Sequence, residues 1–215
     1  MKAKPKAKTD TTPYKGHTAI YLIGLVLALI IFVFATLLAA KGTTAGWEYT
    51  WFTTINNWPE RWYHPMLIIT ALGSVWMAAA SVVVVYFAHF YRLTWRLAFA
   101  IGGAAVSVAL FKHFVGRVRP QGLFEGIHVR VVETGMGFPS WHATSITIIM
   151  LTLLPYMPWR WRWLVPVLIA AVAVSRLYLG VHLPLDVIAG MALGTIIVAA
   201  MRILPQPLRV LLRID

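Results

Sequence analysis

The chain has no cysteine and very few acids, only 7 Asp and Glu among 215 residues. Without Cys there is no disulfide framework, no zinc–thiolate site and no thiol nucleophile. Charge of either sign is also scarce, at 12% of residues against 60% hydrophobic, where a soluble domain carries about 25% and about 45–50%. That little charge cannot cover the surface of one soluble core. The same composition excludes a disordered tail protein and a collagen. The shortage of acids leaves a net charge of +12, which by itself invites a nucleic-acid reading. The 19 Lys and Arg are not gathered on one amphipathic face, however, but sit between apolar stretches. Loop charges of a membrane protein are distributed in this way, so nucleic acid is rejected as a partner.

What is abundant is uncharged apolar sequence. Thr18 to Ala40 is a run of 23 residues, about 34 Å as a helix and enough to cross a ~30 Å hydrocarbon layer. Met66 to Phe87 is a second clean run. Leu97 to Phe111, Ala143 to Met157, Trp163 to Ser175 (resuming as Leu177 to Val181) and Val187 to Met201 are shorter, each interrupted at one end by charge or His. A span must satisfy its own backbone hydrogen bonds, so six helices are the economical count. The expected fold is all-α, a polytopic membrane protein with six transmembrane helices in one bundle. Residues 1–17 form a basic cytoplasmic tail, 18–204 the six-helix transmembrane domain and 205–215 a second cytoplasmic tail.

With the N-terminus inside, 12 of the 19 Lys and Arg fall in inner segments, so both termini are expected in the cytoplasm. Eight of the ten Trp fall at predicted span ends, where an indole sits at headgroup depth. The stretch Trp47 to Trp62 is expected to lie on the outer surface as a short interfacial helix. The first run exceeds the 7–15 residues of a cleavable signal and is expected to be retained. Residues 2–8, rich in Lys, Ala and Pro, read as a solvated tail. Gly190 and Gly194 form a G-x-x-x-G in the last run, expected to serve close packing within the bundle rather than dimerisation.

Ionisable groups inside spans are costly, and here they share a side. Lys112 ends the third span and His142 begins the fourth; Arg176 ends the fifth, and His182 and Asp186 begin the sixth. Alternating helix direction sends all five to the outer end of the bundle. Lys112, Arg119 and Arg176, with Arg117 as a possible fourth, form a cationic pocket with Asp186 as the only acid inside a span. Such a pocket suits a phosphate dianion: guanidinium forks grip two oxygens each and Lys supplies a point charge. His182 and Asp186, spaced i, i+4, share a face at the start of a helix, with Pro184 tolerated in its first turn. A carboxylate on one imidazole nitrogen leaves the other as a nucleophile or base. His142, from another helix, is placed to protonate a leaving oxygen. Metal ligation by the His pair is disfavoured, because the cations repel a metal ion and no Cys or Glu joins them.

The spacing of these residues resembles a known family. Lys112, six residues, Arg119 and Pro120 resemble the first signature of the type 2 phosphatidic acid phosphatases. Pro139-Ser140-Trp141-His142 is similar to the second, normally Pro-Ser-Gly-His. Ser175-Arg176, five residues, His182, three residues and Asp186 match the third. By span layout the resemblance covers residues 66 to 201. It implies a site at the outer face of the cell membrane, no cofactor, no metal, and a lipid phosphate or pyrophosphate as substrate, of the undecaprenyl pyrophosphate, phosphatidylglycerol phosphate or phosphatidic acid type. It implies that His182 attacks phosphorus, that Asp186 orients it, and that His142 serves as acid and then base. Lys112, Arg119, Ser140, Arg176 and the backbone N–H of Trp141 would hold the phosphoryl oxygens.

Trp141 departs from the signature. Gly there permits unusual torsions and close approach to phosphate, whereas an indole either narrows the pocket or turns into the bundle. That departure keeps open a catalytically silent, lipid-binding scaffold. A phosphotransferase using the same phosphohistidine is the other alternative. A transporter is disfavoured, since no charged residue lies at mid-bilayer depth along a path.

Overall fold

A computed structural model describes residues 18–42 and 44–204; the two expected cytoplasmic tails lie outside the described residues. The described chain is all-helical. In chain order the helices are α1 (Thr18–Ala39), α2 (Gly46–Asn56), α3 (Tyr63–Ala71), α4 (Val75–Phe87), α5 (Tyr91–Val115), α6 (Trp141–Leu153), α7 (Leu164–Tyr178) and α8 (Pro184–Ile203). Four of them are long and apolar enough to cross a membrane, α1, α5, α7 and α8 with their flanking turns, and a fifth span arises if the bent pair α3–α4 counts as one.

The second apolar run is therefore not one straight helix. It breaks at Leu72–Ser74 with a bend of 46°, and α4 restarts where Ser74 Oγ accepts the N–H of Met77 at 3.1 Å. The fourth run is also shorter than expected. α6 stops at Leu153 and passes into a 3-10 turn at Leu154–Tyr156, because Pro155 cannot donate into a continuing helix.

α6 and α8 form the centre. Every residue from Ala143 to Ile149 is buried, and α6 is packed by α4, α5, α7 and α8. The glycines of α8 permit this. A Cβ at Gly190 would lie 2.6 Å from the Ser140 carbonyl oxygen, and one at Gly194 2.8 Å from that of Thr144. The G-x-x-x-G thus serves packing inside the bundle, as the sequence predicts. α1 lies along α8 through Ala28, Phe32, Ala35 and Ala39 and exposes Ile20, Ile23, Ile30, Val33, Phe34 and Leu37 outward. An apolar outer surface of this kind suits lipid, where helix contact comes from close packing of small residues.

α2 occupies the stretch expected to be interfacial. Trp47 and Trp51 are exposed, whereas Glu48, Phe52, Ile55 and Asn56 are buried against α7 and α8. Asn56 ties it down: its side-chain amide donates to the carbonyls of His128 and Tyr178 at 2.9 and 3.1 Å, and its Oδ1 accepts the His128 N–H at 2.8 Å.

Candidate active site

The elements converge where the N-termini of α6 and α8 meet the C-terminal turns of α5 and α7. The backbone N–H of Ser140 donates to the carbonyl of Asp186 at 2.9 Å, which couples the two N-termini. At the start of α8, Asp186 Oδ2 accepts the Leu183 N–H at 2.9 Å, the reciprocal half of a capping box. The same oxygen lies 3.3 Å from His182 Nδ1. A carboxylate accepting from Nδ1 leaves the lone pair on Nε2, which lies 3.4 Å from Arg119 Nη1. Burial pushes the His182 imidazole down to about 4, against the pull of Asp186. It is therefore neutral at ordinary pH.

Arg119 is the cation beside that nitrogen, and Arg176 lies within its field. Arg119 donates from Nη1 to the Val181 carbonyl at 2.8 Å and from Nε to that of Gly135 at 3.0 Å. Arg176 reaches from the last turn of α7 to Thr70 Oγ1 at 2.9 Å. Lys112 and His142 lie in the same field, each facing Arg119, Arg176 and Glu133. Ser140 Oγ and Arg176 Nε are buried with no hydrogen-bond partner among the described residues. Buried polar atoms ordinarily have partners, so both are available to an anion. The first-turn amides of α6 add donors that have no intrahelical acceptor. Lys112, Arg119, Ser140, His142, Arg176, His182 and Asp186 all come together here.

The structure corrects the expectation for Arg117, adds an acid to the pocket and decides between the two alternatives for Trp141. Arg117 is not a free cation for a ligand. Its guanidinium is buried between Glu48, at 2.9 and 2.6 Å, and Asp186 Oδ1, at 3.0 Å, and Glu48 also accepts the Leu185 N–H at 2.9 Å. Nor is the pocket purely cationic, because Glu133 enters it from the loop before α6. Its carboxylate pairs with Arg119 Nη1 at 3.0 Å and, more closely, with Arg176 Nη2. Its partners are the two arginines, and among the described residues no three His, Cys, Asp or Glu stand together as metal ligands. Burial alone would raise the Glu133 carboxyl, but Arg176 beside it draws it down to about 2. Finally, the Trp141 indole packs with the apolar side chains of α1, α5 and α8, and its Nε1 is buried without a partner. The ring fills the bundle rather than the mouth of the site. Glu48 and Glu133 were missed in the sequence because neither belongs to a spaced motif; scarcity of acids in so basic a chain was the one available signal.

The break between α3 and α4 lies directly against the helix that carries His142. A Cβ at Gly73 would stand 2.6 Å from the His142 carbonyl oxygen and 3.0 Å from its Cα, and Ser145 Oγ donates to the Gly73 carbonyl. Gly73 thus lets the break pass directly against the backbone that carries His142. Gly73→Ala is expected to displace His142 and to lower kcat about tenfold or more with little change in KM. Steady-state kinetics on the purified variant check this; an unchanged kcat would remove Gly73 from any positioning role.

The profile of the PAP2 superfamily matches residues 93–209. An undecaprenyl-diphosphatase of Sulfolobus acidocaldarius is 29% identical over 180 residues, covering 81% of this chain and 86% of that protein. A lipid A 4'-phosphatase of Porphyromonas gingivalis is 27% identical over 167 residues, 70% of this chain and 69% of its own. Among solved structures, the PAP2-type phosphatidylglycerolphosphate phosphatase of Bacillus subtilis superposes with a TM-score of 0.64 at 23% identity, over 81% of this chain and 93% of that one, a likeness of fold. With all three signatures brought to one end of the bundle and the profile covering more than half its length, the chain belongs to the PAP2 superfamily, whose matched members are lipid phosphatases.

Proposed function

We propose that the protein hydrolyses a lipid phosphate or pyrophosphate at the outer face of the cell membrane through a phosphohistidine on His182. The observation that carries this is the buried, neutral His182, held through Nδ1 by Asp186 with Nε2 facing the arginines. In the first step the Nε2 lone pair forms the N–P bond as the P–O bond to the leaving group breaks. His142 gives its proton to that departing oxygen. In the second step His142 takes a proton from water, the water oxygen bonds to phosphorus as the N–P bond breaks and returns its electron pair to Nε2, and inorganic phosphate leaves. Lys112, Arg119, Arg176, Ser140 and the Trp141 amide hold the equatorial oxygens, where preorganised donors act most strongly. No metal enters this scheme.

In this reading α6 with its 3-10 extension is a sixth span, sheathed by its neighbours, and α2 lies at the outer surface with both termini in the cytoplasm. The intact constellation and the inward indole favour an active enzyme over a silent scaffold. Undecaprenyl pyrophosphate and phosphatidylglycerol phosphate are the substrate types that the relatives' names carry, and phosphatidic acid presents the same kind of terminal phosphate.

Two measurements test the proposal. Purified protein in detergent is expected to release phosphate from at least one such lipid, undiminished by EDTA; no release across the panel refutes it. A single Cys placed between Gly122 and Gly137 of this Cys-free chain should react with an impermeant maleimide in intact cells, and one near Lys6 should not. The opposite labelling pattern would put the site on the cytoplasmic face.

A further inference from the structure

Glu133 sits where the proposed reaction needs a phosphoryl group. Its two carboxylate oxygens are divided between two guanidiniums, Oε2 on Arg119 at 3.0 Å and Oε1 on Arg176. Two equatorial phosphoryl oxygens would make the same pair of contacts, since both anions match the guanidinium fork. The arginines are almost inaccessible, with side chains 5% and 2% exposed, while Glu133 is 27% exposed and reaches in from the solvent side. Its backbone is anchored independently, the carbonyl accepting from Gln121 Nε2 at 3.1 Å. The arginines keep other partners too: Val181 and Gly135 for Arg119, Thr70 for Arg176. The Glu133 side chain can therefore swing out while the cradle keeps its shape.

Resting on the phosphatase reading, we propose that Glu133 is a specificity determinant: an internal monoanion seated in the phosphoryl cradle, which dianionic phosphomonoesters and pyrophosphates displace and phosphodiesters do not. The physical need is plain. A cradle of Lys112, Arg119 and Arg176 at headgroup depth faces a bilayer crowded with phosphodiester lipids, each bearing one negative charge. Without a competitor, any of them would settle there. Exchanging a carboxylate for a phosphodiester swaps one charge for one and gains little, and the carboxylate is tethered at high effective concentration. A dianion adds a second charge against three cations and wins the exchange. Discrimination thus comes from a built-in competitor rather than from a tighter pocket.

The test is calorimetric binding of inorganic phosphate and of dimethyl phosphate to the purified, detergent-solubilised full chain. Wild type is expected to bind inorganic phosphate and to reject dimethyl phosphate. Glu133→Gln, nearly isosteric but uncharged, should tighten both and narrow the preference for phosphate at least about tenfold. Glu133→Asp, too short to reach both guanidiniums, should fall between them and carries the same test if the Gln variant does not fold. Unchanged dimethyl phosphate binding in these variants, or weaker binding of both anions, overturns the proposal. The readout needs no turnover. Wild type that hydrolyses lipid while Glu133→Gln leaves the preference intact sinks this inference alone. A selectivity shift in a protein that hydrolyses no lipid supports it and sinks the phosphatase reading alone.

Discussion

His182→Ala is expected to abolish phosphate release, with a loss of about three orders of magnitude or more in kcat, because it removes the atom proposed to bond to phosphorus. The fold should survive the change. Asp186 keeps the Leu183 N–H at 2.9 Å and the Arg117 guanidinium at 3.0 Å, so its buried carboxylate is not left without partners. The melting temperature in detergent should therefore stay close to wild type while activity disappears. Wild-type enzyme quenched during turnover with labelled substrate should carry an acid-labile, base-stable phosphate, and His182→Ala should carry none. If His182→Ala kept most of its activity, the covalent route would be wrong and a direct attack of water, with His142 as base, would replace it.

Arg117→Met should have the largest effect on stability. The guanidinium lies between Glu48 and Asp186, both with fully buried side chains. Removing it leaves two carboxylates in the interior with no cation between them, a change expected to cost about 3–5 kcal/mol. One carboxyl would then take up a proton. If Asp186 did so, it would no longer hold Nδ1 of His182 as an ionised acceptor and kcat would fall as well. Adding Glu48→Gln should recover part of the lost stability, since a single buried carboxylate, still bonded to the Leu183 N–H, then remains. Thermal unfolding of the purified variants in detergent measures both effects. Equal melting of wild type and Arg117→Met would mean that the triad contributes no stability, and failure of the second substitution to help would mean that the loss comes from packing instead.

Much of the site was legible because its local geometry is set by short separations. His182 and Asp186 are four residues apart, and a helix N-terminus brings such a pair onto one face regardless of the remainder of the chain. Lys112, His142 and Arg176 were placed at one end of the bundle by span order alone. Gly190 and Gly194 announced close packing through their spacing, and α6 is the partner they receive. The break at Leu72–Ser74 falls at the Gly73-Ser74 pair, a kink signal that the apolar run concealed, and only the fold shows that it lies against the His142 backbone on another helix.

The sequence by itself determined the solvent, through too little charge and several long apolar runs, and with it an all-helical chain that satisfies its own backbone. It also singled out the candidate site residues that the fold brings to one end of the bundle, because motif spacing and helical period are properties of neighbouring residues. Only the tertiary structure decided the charge balance of the pocket. Arg117 meets Glu48 across 69 residues, and Arg176 meets Glu133 across 43. The side to which the Trp141 ring turns was likewise decided by the apolar faces of α1, α5 and α8 that receive it. Pairings over such separations follow from how helices pack, and no periodicity along the chain encodes them.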